Sequence, residues 1–118
     1  MASREVELAI CPSYWCFGDA GTGLRHDSLS EEKLVDSLCI GRAFENEIIL
    51  AYCNAAGTLK LNNYTDTLLG HSQITMPFKG CVRKIERDKE EMLVHEIDTT
   101  LLQDAEYVYG LRKERQKR

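Results

Sequence analysis

The most informative stretch of this 118-residue sequence is Gly41-Arg42-Ala43-Phe44-Glu45-Asn46-Glu47-Ile48-Ile49-Leu50-Ala51-Tyr52-Cys53-Asn54-Ala55-Ala56-Gly57. Residues 48–53 form a short apolar run between polar residues, which is typical of a strand covered on both faces. Arg42 and Glu45 are three residues apart on the preceding helix, so their side chains share a face and can pair. Because charges and the amide of Asn46 are costly beside a buried strand unless satisfied, we expect a partly buried, paired cluster.

The composition is that of an ordinary globular domain. The chain is 43% hydrophobic and 29% charged, and its length suffices for one domain or for half of a larger one. A net charge of −4 argues against general affinity for nucleic acid. No apolar run reaches the roughly 18 residues of a membrane span, and the first residues lack the apolar region of a secretory signal. We therefore expect a cytoplasmic protein without a membrane or nucleic-acid partner.

The cysteine count favours the same compartment. Five cysteines lie on apolar or strand-like segments, at positions 11, 16, 39, 53 and 81. An odd number of this kind fits reduced core thiols of an intracellular protein better than it fits a disulfide framework.

The first half of the chain predicts a strand, a helix and a second strand. The first strand covers residues 5–10 and stops at Cys11-Pro12, and a long loop follows over residues 11–27. Ser28 and Glu31 match a capping box, and apolar residues at three- and four-residue steps extend the helix to about Asn46. The second strand is the apolar run at residues 48–53.

The second half of the chain predicts further strands and a last helix. Residues 59–69 are polar and irregular, residues 70–76 resemble a strand, and residues 81–87 and 91–98 resemble a hairpin. Asp98, Thr99 or Thr100 can cap a helix from Leu101 to about Lys113, and its basic end fits a solvated helix terminus. This order of elements is typical of an α/β domain with an antiparallel end section.

Three candidate sites in this sequence are weak. Cys11 lies at a strand end, but no motif links it to a histidine, and Pro12 removes a backbone N–H that an oxyanion hole would use. Cys11, Cys16 and His26 match no common zinc spacing and lack a fourth ligand. The glycine-rich residues 18–23 lack a phosphate-binding pattern. We therefore expect no metal, no cofactor and no self-contained catalytic constellation.

Four segments together resemble the carbon–nitrogen hydrolase (nitrilase) superfamily. Residues 42–46 resemble its RAxEN element, and an apolar strand ending at Asn54 follows, as in the family. Residues 70–80 resemble its GxSxIxxPxG segment, with one extra residue between the proline and the last glycine. Residues 11–15 resemble its P-s-x-W segment, and residues 96–98 resemble the strand end before its last helix. The segments occur in the family's order and cover nearly the whole chain.

The resemblance implies an α/β fold that is a partial αββα sandwich, the C-terminal half of the nitrilase-like four-layer fold, over residues 1–118. It implies hydrolysis of nitriles, amides or N-carbamoyl compounds by a Glu base, a Lys that stabilises the tetrahedral intermediate and a Cys nucleophile. All three positions precede the P-s-x-W segment, so no residue of this chain is assigned a catalytic role. Cys11 does not match, because the family's Cys is followed by an acidic residue and a Phe-Pro-Glu-like turn.

The resemblance assigns roles to five residues of this chain. Tyr14 and Trp15 match the position where the family's loop approaches the substrate pocket. Arg42, Glu45 and Asn46 match a structural cluster of an ion pair and hydrogen bonds. We therefore expect replacement of Arg42 or Glu45 to damage folding or assembly and not a chemical step.

These assignments predict a fragment that is inactive alone. We expect it to form a homo-oligomer through uncovered sheet surface. We expect it to bind a small nitrogen compound only when the missing half completes the pocket. One alternative is a non-catalytic module of the same fold that dimerises or binds a full-length homologue. Another is an independent thiol enzyme that uses Cys11 or Cys81.

Overall fold

A computed structural model describes residues 6–86 and 90–117 of the chain. Its strands are β1 (Leu8–Ser13), β2 (Ile49–Asn54), β3 (Ala56–Leu61), β4 (Tyr64–Leu69), β5 (Gln73–Met76) and β6 (Gly80–Lys84). Its α-helices are α1 (Ser30–Asn46), α2 (Leu101–Tyr109) and α3 (Leu111–Gln116), and a 3₁₀ helix spans Phe17–Arg25. The α/β prediction is confirmed.

Four strands form one sheet in the order β1-β2-β5-β6, and β3 and β4 form a separate hairpin. Strands β1 and β2 are parallel, whereas β2–β5 and β5–β6 are antiparallel. The predicted first strand is displaced, because β1 begins at Leu8 and continues through Pro12 to Ser13. An edge strand tolerates a proline because one row of its backbone groups has no ladder partner.

Helix α1 ends at Asn46 as predicted, but the predicted capping box is wrong. The N-cap position belongs to Leu29 and makes no side-chain cap hydrogen bond. Asp27 Oδ1 instead accepts the Leu29 N–H at 2.8 Å, so the chain turns one residue before the helix. Glu31 is buried and accepts a hydrogen bond from the Trp15 indole, so its carboxylate is not used at the helix start.

Helix α1 covers one face of the sheet. Side chains four residues apart along α1 pack against β2 and the end of β4, through Val35, Cys39, Ala43, Leu50, Tyr52 and Leu69. The opposite face is covered near the start of β2, where Ile49 and Met76 pack against Leu102 of α2, and residues 91–93 border it further along. The rest of this opposite face forms a groove of about 470 Å³ along Leu8, Ile10, Ala51, Cys53 and Ile74. We call these five residues the uncovered face.

Three further predictions differ from the structure. The predicted loop at residues 11–27 contains the 3₁₀ helix, and the predicted irregular segment at 59–69 lies largely in β3 and β4, whose turn is Asn62-Asn63. Asparagine suits a two-residue hairpin turn, and the antiparallel pairing satisfies the backbone on either side. Residues 90–98 form no strand, so the predicted second arm of the later hairpin is wrong, and residues 88 and 89 of its turn lie outside the described ranges.

The last predicted helix is two helices. Gly110 has a φ of 63° and separates α2 from α3. A positive φ suits glycine and commonly ends a helix, so Gly110 explains the break between α2 and α3. The spacing of apolar residues does not indicate this break. In the part of the chain that the structure describes, no helix combines the length and apolar character needed to cross a bilayer.

Candidate functional site

The carboxyl ends of the parallel strands β1 and β2 lie side by side, with Ser13 opposite Asn54. Open α/β sheets commonly bind ligands just beyond the carboxyl ends of parallel strands. Tyr14 and Trp15 follow Ser13 directly, so both predicted pocket-flanking residues lie at this end of the sheet. We call this region, from Ser13 to Trp15 together with Asn54 and Ser72, the strand-end site.

Asn54 joins the chain segments of the strand-end site. Its Oδ1 accepts the Trp15 N–H at 2.8 Å, and its Nδ2 donates to the carbonyl oxygens of Trp15 at 3.2 Å and Gly70 at 3.0 Å. The side chain is buried, so these bonds form away from competing water. Asn54 therefore holds the exit of β1 and the β4–β5 connection at fixed positions relative to β2.

Ser72 adds a second connection to the same strand end. Its Oγ accepts the Asn54 N–H at 2.9 Å and donates to the Asn54 carbonyl oxygen at 3.2 Å. Both backbone groups at the end of β2 are thus satisfied by one side chain. Ser72 was part of a motif that resembles a family segment, but the sequence did not predict this hydrogen-bonding role.

Trp15 and Tyr14 differ in how tightly they are held. The Trp15 indole donates to Glu31 Oε2 and packs against the core beneath α1. Tyr14 is 54% exposed, and its pKa is raised by partial desolvation and by nearby Cys16 and Asp66. Trp15 is therefore fixed at the strand ends, whereas Tyr14 is largely exposed and its hydroxyl stays protonated at neutral pH.

A polar network supports the turn before β5. His71 is buried with a φ of 58°, and its Nδ1 lies 3.0 Å from Asp36 Oδ1 of α1. Gln73 Nε2 donates to the same oxygen at 2.8 Å, and Lys84 Nζ lies 3.3 Å from Asp36 Oδ2. Burial acts to raise the pKa of Asp36, but the hydrogen bonds from His71 and Gln73 outweigh it, so this pKa is lowered. The network holds the turn that carries Ser72, and sequence reasoning did not find it because its members are far apart in the chain.

Three of the cysteines are poorly suited to act as nucleophiles at neutral pH. Burial raises the pKa of Cys16 to about 11 and that of Cys39 to about 12, and desolvation also raises the pKa of Cys81. A thiol needs a lowered pKa or an adjacent base to attack at neutral pH. Cys11 is exposed and has no hydrogen-bonded base among the described residues. The geometry gives no support to a thiol enzyme that uses Cys11 or Cys81.

All five cysteines are free thiols, but the prediction of core thiols is only partly right. Cys16 and Cys39 are buried, whereas Cys11, Cys53 and Cys81 are exposed. We expect iodoacetamide to modify these three in the native chain and all five in urea, because burial limits access to the thiolate. Mass spectrometry of the alkylated peptides measures this. Rapid native modification of Cys39 would contradict the packing of α1 on the sheet.

The weak metal candidate of the sequence gains no geometric support. Within residues 6–86 and 90–117, no group of three His, Cys, Asp or Glu side chains is arranged to hold a metal ion. Cys16 is buried below the 3₁₀ helix, whereas Cys11 and His26 are exposed.

The predicted structural cluster lies at the other end of α1, close to the amino end of β2. Arg42 and Glu45 form the predicted ion pair, and with side chains that are 56% and 46% exposed the pair is about half accessible to water. Asn46 is buried, and its Nδ2 donates to the Arg42 carbonyl oxygen at 2.8 Å. The basic tail reaches the same place, since Arg115 donates to Asn46 Oδ1 at 3.0 Å and also binds the Glu45 carbonyl oxygen. The tail is therefore not simply a solvated helix end.

The exposure of this ion pair changes the expected effect of mutation. Arg42→Ala should alter the free energy of unfolding by only about 0–1 kcal/mol, since exposed pairs contribute little. Arg115→Ala should cost roughly 1–3 kcal/mol, because it removes hydrogen bonds to the end of α1. Urea denaturation of the two variants measures the difference. A larger loss for Arg42→Ala than for Arg115→Ala would restore the sequence-based expectation.

Comparison with known proteins identifies the fold. No protein-family model matches the chain, and no curated protein matches it. Among solved structures, it is similar to a carbon–nitrogen hydrolase from Helicobacter pylori G27, with a TM-score of 0.78 at 20% sequence identity. The match covers 99% of this chain and 40% of that chain. The chain therefore has a partial carbon–nitrogen hydrolase fold, as the sequence motifs predicted, and it spans less than half of that enzyme's length.

Proposed function

We propose that this chain is the C-terminal half of a carbon–nitrogen hydrolase domain and supplies one wall of its active site. The observation that carries the proposal is the fold match, which covers 99% of this chain but 40% of the hydrolase. In the proposed role, the strand-end site faces a pocket for a small amide, nitrile or N-carbamoyl compound. The Glu, Lys and Cys that perform the hydrolysis belong to the other half.

The uncovered face supports this proposal. Leu8 is 45% exposed and Ile10 is 69% exposed, although both point to the side of the sheet that α2 begins to cover. Exposed apolar surface of this kind marks a contact that the isolated chain does not make. A second sheet packed on this face would complete the sandwich, with the two sheets about 10 Å apart.

The different environments of Tyr14 and Trp15 also support the proposal. Trp15 is held by Asn54 and Glu31, so it offers a rigid aromatic surface to a substrate. Tyr14 adds an exposed hydroxyl beside it. Pockets for small molecules commonly combine such apolar walls with a few polar groups. A cytoplasmic location belongs to the proposal and is supported by the five free cysteines.

Amide hydrolysis by the purified chain tests the proposed division of the enzyme. We expect no ammonia release above background from propionamide, propionitrile or N-carbamoylglycine. Release that Cys11→Ala or Cys81→Ala abolishes would overturn the proposal, because the chain would then carry its own nucleophile.

Co-expression provides the positive test. If the reading frame upstream of Met1 encodes a Glu, a Lys and a Cys followed by an acidic residue, the two polypeptides together should release ammonia from one of these compounds. Tyr14→Ala should then raise KM, with Tyr107→Ala on the exposed side of α2 as a matched control. A frame without these residues would favour the second candidate function.

The second candidate is a non-catalytic interaction module of the same fold. The uncovered face favours it, since an apolar face with a neighbouring edge strand can pair with a second copy or with a full-length homologue. Size-exclusion chromatography with and without a full-length homologue distinguishes the candidates. A well-folded chain that elutes as a monomer both with and without the homologue would exclude the interaction-module function.

A further inference from the structure

Strand β1 has a free backbone edge. In the sheet order β1-β2-β5-β6, no strand among the described residues pairs with the outer side of β1. The Ile49 N–H donates to the Glu7 carbonyl oxygen at 2.8 Å. Because a parallel ladder uses alternate residues of each strand, the N–H and C=O groups of Leu8 and Ile10 point away from β2. These backbone groups are available to another strand.

The sheet is apolar and open on both faces beside this edge. Ile10 and Tyr52 line the groove of the uncovered face, and they also line a second groove of about 320 Å³ on the α1 side. Val35 and Leu38 of α1 border this second groove, so there is room above β1. A strand added at the edge would meet apolar surface on both of its faces. Strands covered in this way are apolar along their whole length.

The two edges of the four-stranded sheet differ in charge. Strand β6, at the far edge, carries Arg83 and Lys84, and charged side chains on an edge strand discourage pairing with another chain. Strand β1 carries no charged residue from Leu8 to Ser13. The edge of β1 therefore lacks the protection that the edge of β6 has, which indicates that β1 pairs with a further strand.

The matching strand is β1 of a second copy. The strands of the β3–β4 hairpin contain Lys60 and Asp66, which would place charges in an apolar groove. Among the described strands with a free side, β1 alone lacks a charged residue. Two uncharged copies of β1 meet without repulsion, and two-fold symmetry is the commonest symmetry of protein dimers.

We propose that the chain forms a two-fold dimer in which β1 pairs antiparallel with β1 of a second copy, with Ile10 opposite Ile10. The two Ile10 residues then exchange backbone hydrogen bonds. Pro12 has no N–H, but its carbonyl oxygen accepts the Leu8 N–H of the other copy, so this register uses every outward N–H of β1.

The pairing is shorter than a standard interface of roughly 1,200–2,000 Å², so we expect a weak dimer with a Kd on the order of micromolar. This dimer does not depend on the proposed hydrolase function, because ammonia release and chain pairing are measured separately.

Disulfide cross-linking of the full chain tests this register. The register places residue 9 opposite Cys11 of the second copy, in a pair without backbone hydrogen bonds and with Cα atoms about 4.5 Å apart, a distance that a disulfide spans. We expect Ala9→Cys to give a disulfide-linked dimer on a non-reducing gel after oxidation by copper phenanthroline in air. Cys53→Ser and Cys81→Ser are included in all variants, because they remove the other exposed thiols.

Two controls assign the cross-link to β1. Ala9→Cys combined with Cys11→Ser should give no dimer, and a dimer that persists would overturn the register. Thr58→Cys, which adds an exposed thiol on the β3–β4 hairpin instead, should not increase cross-linking. Equal dimer from Thr58→Cys and Ala9→Cys would overturn the pairing. A folded Ala9→Cys variant that forms no dimer would also overturn it, and would leave the edge of β1 to a strand of another protein.

Amide hydrogen exchange of the unaltered chain decides the proposal if Ala9→Cys does not fold. The Leu8 and Ile10 amides point outward, so they should exchange about tenfold or more slowly at a chain concentration above the Kd than at one well below it. The Ala9 and Cys11 amides are the internal control, since they face β2 in monomer and dimer alike. Equal exchange of the Leu8 and Ile10 amides at both concentrations would overturn the proposal.

Discussion

Asn54→Ala should lower the free energy of unfolding by roughly 2–4 kcal/mol, a large part of the 5–15 kcal/mol typical of a domain. Asn54 is buried, and its side chain makes three hydrogen bonds that connect β1, β2 and the β4–β5 connection. Alanine removes all three and leaves the Trp15 N–H and the Gly70 carbonyl without that partner. Each unsatisfied buried group costs about 1–3 kcal/mol.

Urea denaturation followed by tryptophan fluorescence measures this loss at the site itself, because Trp15 is the only tryptophan of the chain. Asn62→Ala is the matched control, since Asn62 lies in the exposed β3–β4 turn and should change stability by less than about 0.5 kcal/mol. Equal midpoints for the two variants would show that Asn54 does not hold the strand-end site together.

Ile10→Lys should weaken self-association of the chain by about ten- to a hundredfold and leave the folded monomer intact. Ile10 is 69% exposed on the uncovered face, so a lysine there disturbs little of the core. In an oligomer that buries this face, the substitution removes about 1.5–3 kcal/mol of apolar burial and adds a charge that must be desolvated.

Sedimentation velocity over a concentration series measures the association constant. Leu61→Lys is the control, because Leu61 is 54% exposed but lies on the β3–β4 hairpin, away from the uncovered face. A chain that remains monomeric at high concentration would refute the homo-oligomer proposal. Equal effects of the two substitutions would place the contact elsewhere.

Several elements of the fold were predictable because their signals are local. The apolar steps along α1 and the Asn46-Glu47 boundary indicated the helix end, and the unbroken run at residues 48–53 indicated β2. The β3–β4 hairpin was missed, although the two asparagines of its turn, Asn62-Asn63, are a local signal. Its strands are polar and partly exposed, so they lack the alternation of apolar and polar residues that predicts a strand. Their extended conformation is stabilised by their pairing with each other.

The strand-end site was predictable only in part. Tyr14 and Trp15 were named from a motif, but Glu31 was assigned to a helix cap, and its actual partner is the Trp15 indole 16 residues away. Asn54 was noted as the end of a motif, whereas its hydrogen bonds reach residues 39 positions earlier and 16 positions later. Partners at such separations leave no periodic trace in a sequence.

The order of local signals along this chain was enough to indicate an α/β domain, the position of its main helix and central strand, and a resemblance to part of a carbon–nitrogen hydrolase. These features depend on side-chain periodicity and on short motifs, which act over a few residues. The tertiary packing of helices on the sheet determined which polar groups are buried and which partners they contact. Arg42 and Glu45 remain at the surface, whereas Glu47 is buried beside Arg112, because the sheet and the returning C-terminal helices decide which side of each residue meets water.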